Sequence, residues 1–183
     1  VVHRDIKPAN ILLDRGDGTK GLGMPRITDF GLGKIRDDGD MVSLTGAKMG
    51  TLPYMAPEQF EGKKDISTGA DVFALGILFW RLLAGRLPVE PDNMKACLLL
   101  YTGMEPMPKM ASVRDDLPEG VQDFLDRACA LDPSERFADA GELLKACEFG
   151  DAPVAAPPAS VPAPLEPAPP EPAPVETRPA PQD

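Results

Sequence analysis

A short polar segment near the start of the chain, VHRDIKPAN at residues 2–10, carries side chains that suit phosphoryl transfer. The carboxylate of Asp5 can accept a proton from a hydroxyl, and the amine of Lys7 can neutralise a transferring phosphoryl group. Asn10 and, further along, Asp29 carry oxygen ligands of the kind that Mg²⁺ requires. The residue types and their order therefore indicate a site that aligns a phosphate, a metal ion and a hydroxyl acceptor.

Two further motifs follow in the chain, Asp29-Phe30-Gly31 and Ala56-Pro57-Glu58. Together with VHRDIKPAN they resemble the large C-terminal lobe of a eukaryotic-like, bacterial-type serine/threonine protein kinase. An isolated Asp-x-Lys would more simply be an exposed ion pair in a loop, but three motifs in this order favour the kinase. The resemblance covers residues 1–149, which is the whole globular part of the chain.

The resemblance implies a role for each polar residue of the site. Asp5 would be the catalytic base, and Lys7 would contact the γ-phosphate of ATP. Asn10 and Asp29 would hold Mg²⁺, or Mn²⁺, against the nucleotide phosphates. Thr51 would hydrogen-bond to Asp5 and Lys7 and shape the floor beneath the acceptor hydroxyl. Because Lys7 is followed by Pro, the expected substrate is a protein with Ser or Thr acceptors rather than Tyr acceptors.

Several residues of the same motifs have structural roles in the resembled family. His3 is the only histidine and invites interpretation as a general base. In the family, however, the matching His packs on the Phe of the metal-binding motif, here Phe30, and Asp71 would anchor that stack. Glu58 and Arg136 would form a buried ion pair.

Arg4 stands directly before the expected catalytic base, and a positive charge in that position calls for a neutralising group. In related kinases a phosphorylated residue of the activation loop supplies it. The segment 31–49 contains Ser43 and Thr45, which are therefore the candidate phosphosites. The alternative is that one or both are exposed loop hydroxyls.

A small hairpin is expected between the two polar motifs. Residues 11–13 form an apolar run that predicts a short buried strand, and residues 26–28 predict the returning strand that delivers Asp29. The Gly- and Asp-rich stretch 14–23 reads as the turn between them, longer than is usual in the family.

The remainder of the globular part is predicted to be helical. Residues 71–84 are apolar around nearly the whole helical circumference, which predicts a helix buried on all sides, with Asp71 at its start and Gly85 as its stop. Helical spacing of apolar residues predicts two more helices, over 121–131 and 143–147. The fold class is therefore mainly α, a kinase C-terminal lobe with a small β-hairpin, followed by a disordered tail.

Composition excludes some functions. The formal net charge of −10, from 29 acidic and 19 basic residues, argues against nucleic-acid binding and against an electrostatic anchor on anionic lipid. Cys97, Cys129 and Cys147 match no zinc-binding spacing, so we expect three reduced, mostly buried thiols in a cytoplasmic protein. The chain shows no signal-peptide pattern at its start.

The composition changes near residue 150. Residues 150–183 contain 12 of the 22 prolines and no aromatic residue, which predicts an extended, disordered Pro/Ala-rich linker after a kinase lobe at 1–149. The linker is expected to be a spacer. It could also bind a proline-reading partner, or lead to a membrane tether beyond residue 183.

In the resembled family a G-x-G-x-x-G loop covers the phosphates of ATP and belongs to the smaller N-terminal lobe, before the segment that carries the catalytic Asp. The glycine-rich stretch 16–23 of this chain, which has that spacing at 16–21, comes after Asp5 and is interpreted as a hairpin tip rather than a phosphate loop. Since the first residue is Val, we expect a piece of a longer kinase that is inactive without its N-terminal lobe. Two alternatives remain open at this point: a non-catalytic, kinase-derived scaffold, or a plain helical interaction domain.

Overall fold

The structure, a computed structural model, describes residues 1–14, 23–30, 51–90 and 93–149. Its strands and helices, in chain order, are β1 (Ile11–Asp14), β2 (Met24–Ile27), α1 (Pro57–Phe60), α2 (Gly69–Ala84), α3 (Met94–Tyr101), α4 (Val121–Ala128) and α5 (Ala140–Ala146). Single 3-10 turns lie at Pro8–Asn10, Leu52–Tyr54, Met110–Ser112 and Pro133–Glu135. The predicted fold class, mainly α with one small hairpin, is confirmed for these residues. The hairpin tip and the linker after residue 149 lie outside them.

The hairpin pairs β1 with β2 in antiparallel register, with Ile11 opposite Ile27. The prediction of a buried strand was wrong, because Leu12 and Leu13 are 57% and 51% exposed. Burial of a strand needs a second layer on its face, and the main packing partner of β1 among the described elements is β2, in the same sheet. The hairpin still has the expected effect on the site. The backbone N–H of Thr28 donates to the carbonyl of Asn10 at 2.9 Å, so the segment before Asp29 returns to the first polar motif.

Helix α2 forms the centre of the core and packs against α4, α5 and the turn at Leu52–Tyr54. Its close contact with α4 depends on Gly76, where a Cβ atom would lie 2.6 Å from Sγ of Cys129 and 2.9 Å from Cβ of Ala128. The largest fully buried side chains are Trp80, Leu52, Ile77, Met110, Leu125, Val72, Pro53 and Cys97.

Two details of α2 differ from the prediction. The helix begins at Gly69, so Asp71 lies within its first turn rather than at its start, and the carboxylate contacts another segment of the chain. The helix is also not buried on all sides, since Leu82 is 62% exposed on a face that no described element covers. Its C-terminus is as predicted: Gly85 adopts φ 71°, a left-handed conformation that glycine accommodates without strain.

Helices α1 and α3 were not predicted, and the bounds of the two C-terminal helices differ from their apolar patterns: α4 ends three residues early, and α5 begins three residues early and ends one residue early. Helix α3 begins after Asn93, whose side-chain oxygen accepts a hydrogen bond from the N–H of Ala96 at 3.0 Å. Helix α4 ends before Leu131, which is 41% exposed, and Leu144 of α5 is 70% exposed. Apolar spacing therefore marked the helices but not their ends.

All three thiols are free, as predicted: Cys97 and Cys129 are buried and Cys147 is half-buried. Burial raises the pKa of the Cys129 thiol to about 12, so this side chain stays protonated and unreactive at neutral pH. Among the described residues, no helix combines the length and apolar composition needed to cross a membrane.

Candidate active site

The structure brings four of the predicted site residues into one hydrogen-bonded cluster. Lys7 donates from Nζ to Oδ2 of Asp5 at 2.9 Å and to Oγ1 of Thr51 at 3.0 Å. Asn10 donates from Nδ2 to the same Oδ2 at 3.0 Å and to the backbone carbonyl of Asp5 at 2.7 Å. The 3-10 turn Pro8–Asn10 makes this possible, because it folds the chain back over Asp5.

Thr51 differs from the expectation in one respect. It was expected to hydrogen-bond to both Asp5 and Lys7, but among the described residues its hydroxyl bonds only to Lys7. The amine of Lys7 lies between the other two side chains and satisfies both. Thr51 therefore reaches the carboxylate through Lys7, and the three groups still form one connected unit.

The two oxygens of the Asp5 carboxylate have different surroundings. Oδ2 accepts hydrogen bonds from both Lys7 and Asn10, whereas Oδ1 accepts none within the described part of the chain. The side chain is 31% exposed, so Oδ1 retains access from solvent. One oxygen thus fixes the orientation of the carboxylate, and the other is available to accept a proton.

The hydrogen bonds of Asn10 determine which way its amide group faces. Both partners of Nδ2 are acceptors, so the nitrogen must face Asp5 and the amide oxygen must face away from it. That oxygen can ligate a cation. Asp29 is exposed, with φ 61°, and among the described residues its carboxylate has no hydrogen bond to the cluster around Asp5; it follows Thr28, whose N–H bonds to the carbonyl of Asn10. One carboxylate and one amide oxygen fit Mg²⁺, which commonly completes its shell with water and substrate phosphates.

His3 is fully engaged in structural contacts. The N–H of Asp5 donates to Nδ1 at 3.2 Å, so the other ring nitrogen, Nε2, carries the proton and donates to the carbonyl of Thr28 at 2.9 Å. The ring lies 4.9 Å from the Phe30 ring, edge to face. Asp71 accepts from the backbone N–H of His3 at 2.8 Å. With both ring nitrogens occupied, His3 has none left to act as a base.

The backbone N–H and carbonyl groups of Arg4 are hydrogen-bonded to side chains of α2 and α1. Its N–H donates to Oδ1 of Asp71 at 2.8 Å, and its carbonyl accepts from Nε2 of Gln59 at 2.9 Å. Gln59 was not predicted as a site residue. The available signal was a Gln three residues after Ala56, at the start of a helix, where such side chains often bond back to the backbone.

Arg136 and Glu58 form a buried ion pair with two parallel hydrogen bonds, each 2.8 Å long. The remaining capacity of the guanidinium is also used, by the carbonyls of Ala130, Gly69 and Leu131. Each side chain of the pair is nearly inaccessible to solvent. Arg136 thereby ties α1, the start of α2 and the segment after α4 to one point.

Three of the predicted site residues, Gly31, Ser43 and Thr45, lie outside the described residues. Their suggested roles therefore stay predictions.

A helical lobe that carries this polar cluster is typical of a protein kinase, and comparison with known families identifies the same class. The model of the protein kinase domain matches residues 1–147, so the chain belongs to the protein kinase family. The prediction made from the three motifs is confirmed at this level. The family uses ATP and a divalent cation.

Similar proteins include serine/threonine-protein kinases of bacteria. The chain is 33% identical over 160 residues to serine/threonine-protein kinase A of Synechocystis, covering 87% of this chain and 30% of that protein. It is 36% identical over 138 residues to Pkn1 of Myxococcus xanthus, covering 75% of this chain and 19% of the relative. The match to PknH of Mycobacterium tuberculosis is 32% over 143 residues, 78% of this chain and 21% of PknH. The chain thus spans less than a third of the length of these relatives.

Proposed function

We propose that the protein to which this chain belongs transfers the γ-phosphate of ATP to Ser or Thr hydroxyls of other proteins. The observation that carries the proposal is the amine of Lys7, which lies within hydrogen-bonding distance of both Asp5 and Thr51. The positively charged amine of Lys7 links the proton acceptor Asp5 to the hydroxyl of Thr51. This arrangement suits the alignment of a phosphoryl group with an acceptor hydroxyl.

Each residue of the cluster then has a defined role. Oδ1 of Asp5 accepts the proton of the acceptor hydroxyl, while Oδ2 remains held by Lys7 and Asn10. Lys7 supplies positive charge beside the transferring group. The side-chain oxygens of Asn10 and Asp29 would hold the cation, for which we propose Mg²⁺ or Mn²⁺; when bound, the cation neutralises phosphate charge.

The only G-x-G-x-x-G spacing in the 183-residue sequence, at 16–21, follows Asp5 instead of preceding it, and this leads to a prediction about the polypeptide on its own. We expect it to bind ATP weakly and to transfer phosphate negligibly, because the loop that covers the nucleotide phosphates in this family precedes the catalytic Asp, and no such loop precedes Asp5 in this sequence. The measurement is transfer of radiolabel from ATP to casein, with phosphoamino-acid analysis, by the 183-residue polypeptide and by the full-length protein.

The controls of that assay separate its outcomes. Addition of EDTA should stop transfer by the full-length protein, and label should appear on Ser or Thr and not on Tyr. Strong transfer by the 183-residue polypeptide would contradict its expected inactivity. No transfer by the full-length protein would instead favour the alternative, a kinase-derived scaffold that binds partners without catalysis.

Arg4 supports a further part of the proposal, which is control by phosphorylation. Its side chain is exposed, and no carboxylate pairs with it among the described residues. We therefore expect phosphate on Ser43 or Thr45, which would supply the missing negative charge. Mass spectrometry of the active protein should locate it, and the double variant S43A/T45A should have reduced activity. Full activity of a protein without phosphate in this segment would refute the assignment.

The domain division at residue 149 and the character of the segment after it are also part of the proposal. The high proline content after residue 150 supports a spacer that separates the kinase lobe from another region. We propose a cytoplasmic kinase lobe, which a membrane segment or a proline-reading partner beyond the spacer would localise. Cell fractionation of the full-length protein would test the membrane arm of this proposal.

A further inference from the structure

Gln59 links two parts of the site that are distant in the sequence. Its Oε1 accepts a hydrogen bond from the backbone N–H of Ala56 at 3.1 Å, and its Nε2 donates to the carbonyl of Arg4 at 2.9 Å. The first contact fixes the side chain at the start of α1. The second extends it to the residue directly before the proposed base.

The peptide group that receives this contact is the one between Arg4 and Asp5. Its carbonyl accepts from Gln59, and its N–H donates to Nδ1 of His3 at 3.2 Å. Both polar groups of this peptide are therefore held, which fixes its plane. The position of the Asp5 Cα, and with it the direction of the carboxylate, follows from that plane.

The backbone at Arg4 needs such support because it is strained. Its φ is 67°, in the left-handed region that residues with a Cβ atom rarely adopt. A strained conformation persists only when its surroundings over-determine it. Here Asp71 holds the N–H of Arg4 and Gln59 holds its carbonyl. Loss of either contact would allow the segment to relax and the base to move.

We propose that Gln59 is a positioning residue for catalysis: it holds the Arg4–Asp5 peptide, and through it the Asp5 carboxylate, in a fixed position relative to Thr51. This relative position is fixed because Gln59 bonds to Ala56, and Ala56 belongs to the same short segment as Thr51, which includes the turn Leu52–Tyr54. The contacts of Lys7 with Thr51 and of Gln59 with Arg4 thus join the two segments at two points. This inference rests on the proposed kinase function.

The test is the isosteric variant Gln59→Glu in the full-length protein. Glu retains the acceptor for Ala56 but cannot donate to the carbonyl of Arg4 at neutral pH. We expect kcat to fall about 10- to 100-fold, because small misplacement of a catalytic group has large effects on rate. The KM for ATP should stay unchanged, since Gln59 contacts none of the residues proposed to bind the nucleotide.

The chain offers a matched control in Gln122. Its Oε1 accepts from the backbone N–H of Met110 at 2.6 Å, and its Nε2 donates to Asp126 at 2.7 Å; neither partner belongs to the cluster around Asp5. Gln122→Glu therefore makes the same chemical change at a structural position. It should lower thermal stability without lowering kcat.

Amide hydrogen exchange supplies a readout that does not depend on activity. The N–H groups of Arg4 and Asp5 should exchange faster in Gln59→Glu than in the wild type, and at the wild-type rate in Gln122→Glu. Unchanged exchange would overturn the proposal whatever the kinetics show. Equal loss of kcat in the two variants, or none in Gln59→Glu, would also overturn it.

Two further outcomes are decisive. If the wild-type protein shows no transfer, the proposed function fails, and exchange at Arg4 and Asp5 alone decides whether Gln59 positions this peptide. If Gln59→Glu does not fold, Gln59→Met removes both hydrogen bonds of the side chain without adding a charge, and the exchange of the Arg4 and Asp5 N–H groups is measured in that variant. Loss of the folded state in both variants would assign Gln59 a purely structural role and overturn the proposal.

Discussion

Replacement of Asp5 by Asn should reduce phosphate transfer by the full-length protein about 10²- to 10⁴-fold, the usual contribution of a general base. The amide has the size and shape of the carboxylate, but it cannot accept the proton of the acceptor hydroxyl. Its single oxygen can still accept hydrogen bonds from Lys7 and Asn10 where Oδ2 does now. We therefore expect an unchanged fold and thermal unfolding close to that of the wild type.

Asp126→Asn is the matched control for this experiment. Like Asp5, Asp126 accepts from a lysine amine and a side-chain amide: Lys109 at 2.6 Å and Gln122 at 2.7 Å. It lies on α4, away from the proposed site, so its replacement should leave transfer unchanged. Undiminished transfer by Asp5→Asn would show that Asp5 is not the base, and an equal loss in both variants would point to a general effect on folding.

The local part of the site could be predicted from the sequence because it depends on few residues. Asp5, Lys7 and Asn10 are separated by at most five positions, so a single turn suffices to bring them together. Thr51 is 44 residues from Lys7 in the sequence, and no periodicity places it there. Its place came from resemblance to a family, which carries information on tertiary structure that residue spacing lacks.

Two long-range contacts of the site involve backbone groups: that of Asp71 was expected only from the family resemblance, and that of Gln59 was not predicted. The carboxylate of Asp71 accepts from two N–H groups of a segment 67 and 68 residues away, and Gln59 donates to a carbonyl 55 residues away. Every residue has such groups, so no residue type marks the other end of the contact. The prediction that β1 is buried was wrong for a related reason. An apolar run indicates a strand, but only the neighbouring elements decide whether the faces of that strand are covered.

Arg136→Ala is expected to have the largest effect on stability. It leaves the Glu58 carboxylate buried without its partner, and it removes donors from three backbone carbonyls at once. Breaking a buried ion pair on one side typically costs about 3–5 kcal/mol. In a domain of this size such a loss lowers the midpoint of thermal unfolding by roughly 10 °C. Calorimetry of the full-length protein should show this shift in the transition of the kinase domain.

Arg26→Ala provides the comparison that separates burial from ion pairing as such. Arg26 bonds to Asp14 at 2.7 Å, a distance as short as those in the buried pair, but the two side chains are 66% and 44% exposed. Exposed pairs contribute about 0–1 kcal/mol, so the midpoint should barely move. Activity of Arg136→Ala should decline mainly as the folded fraction declines. An unfolding midpoint of Arg136→Ala equal to that of the wild type would contradict the assignment, because no buried carboxylate could lose its partner without cost.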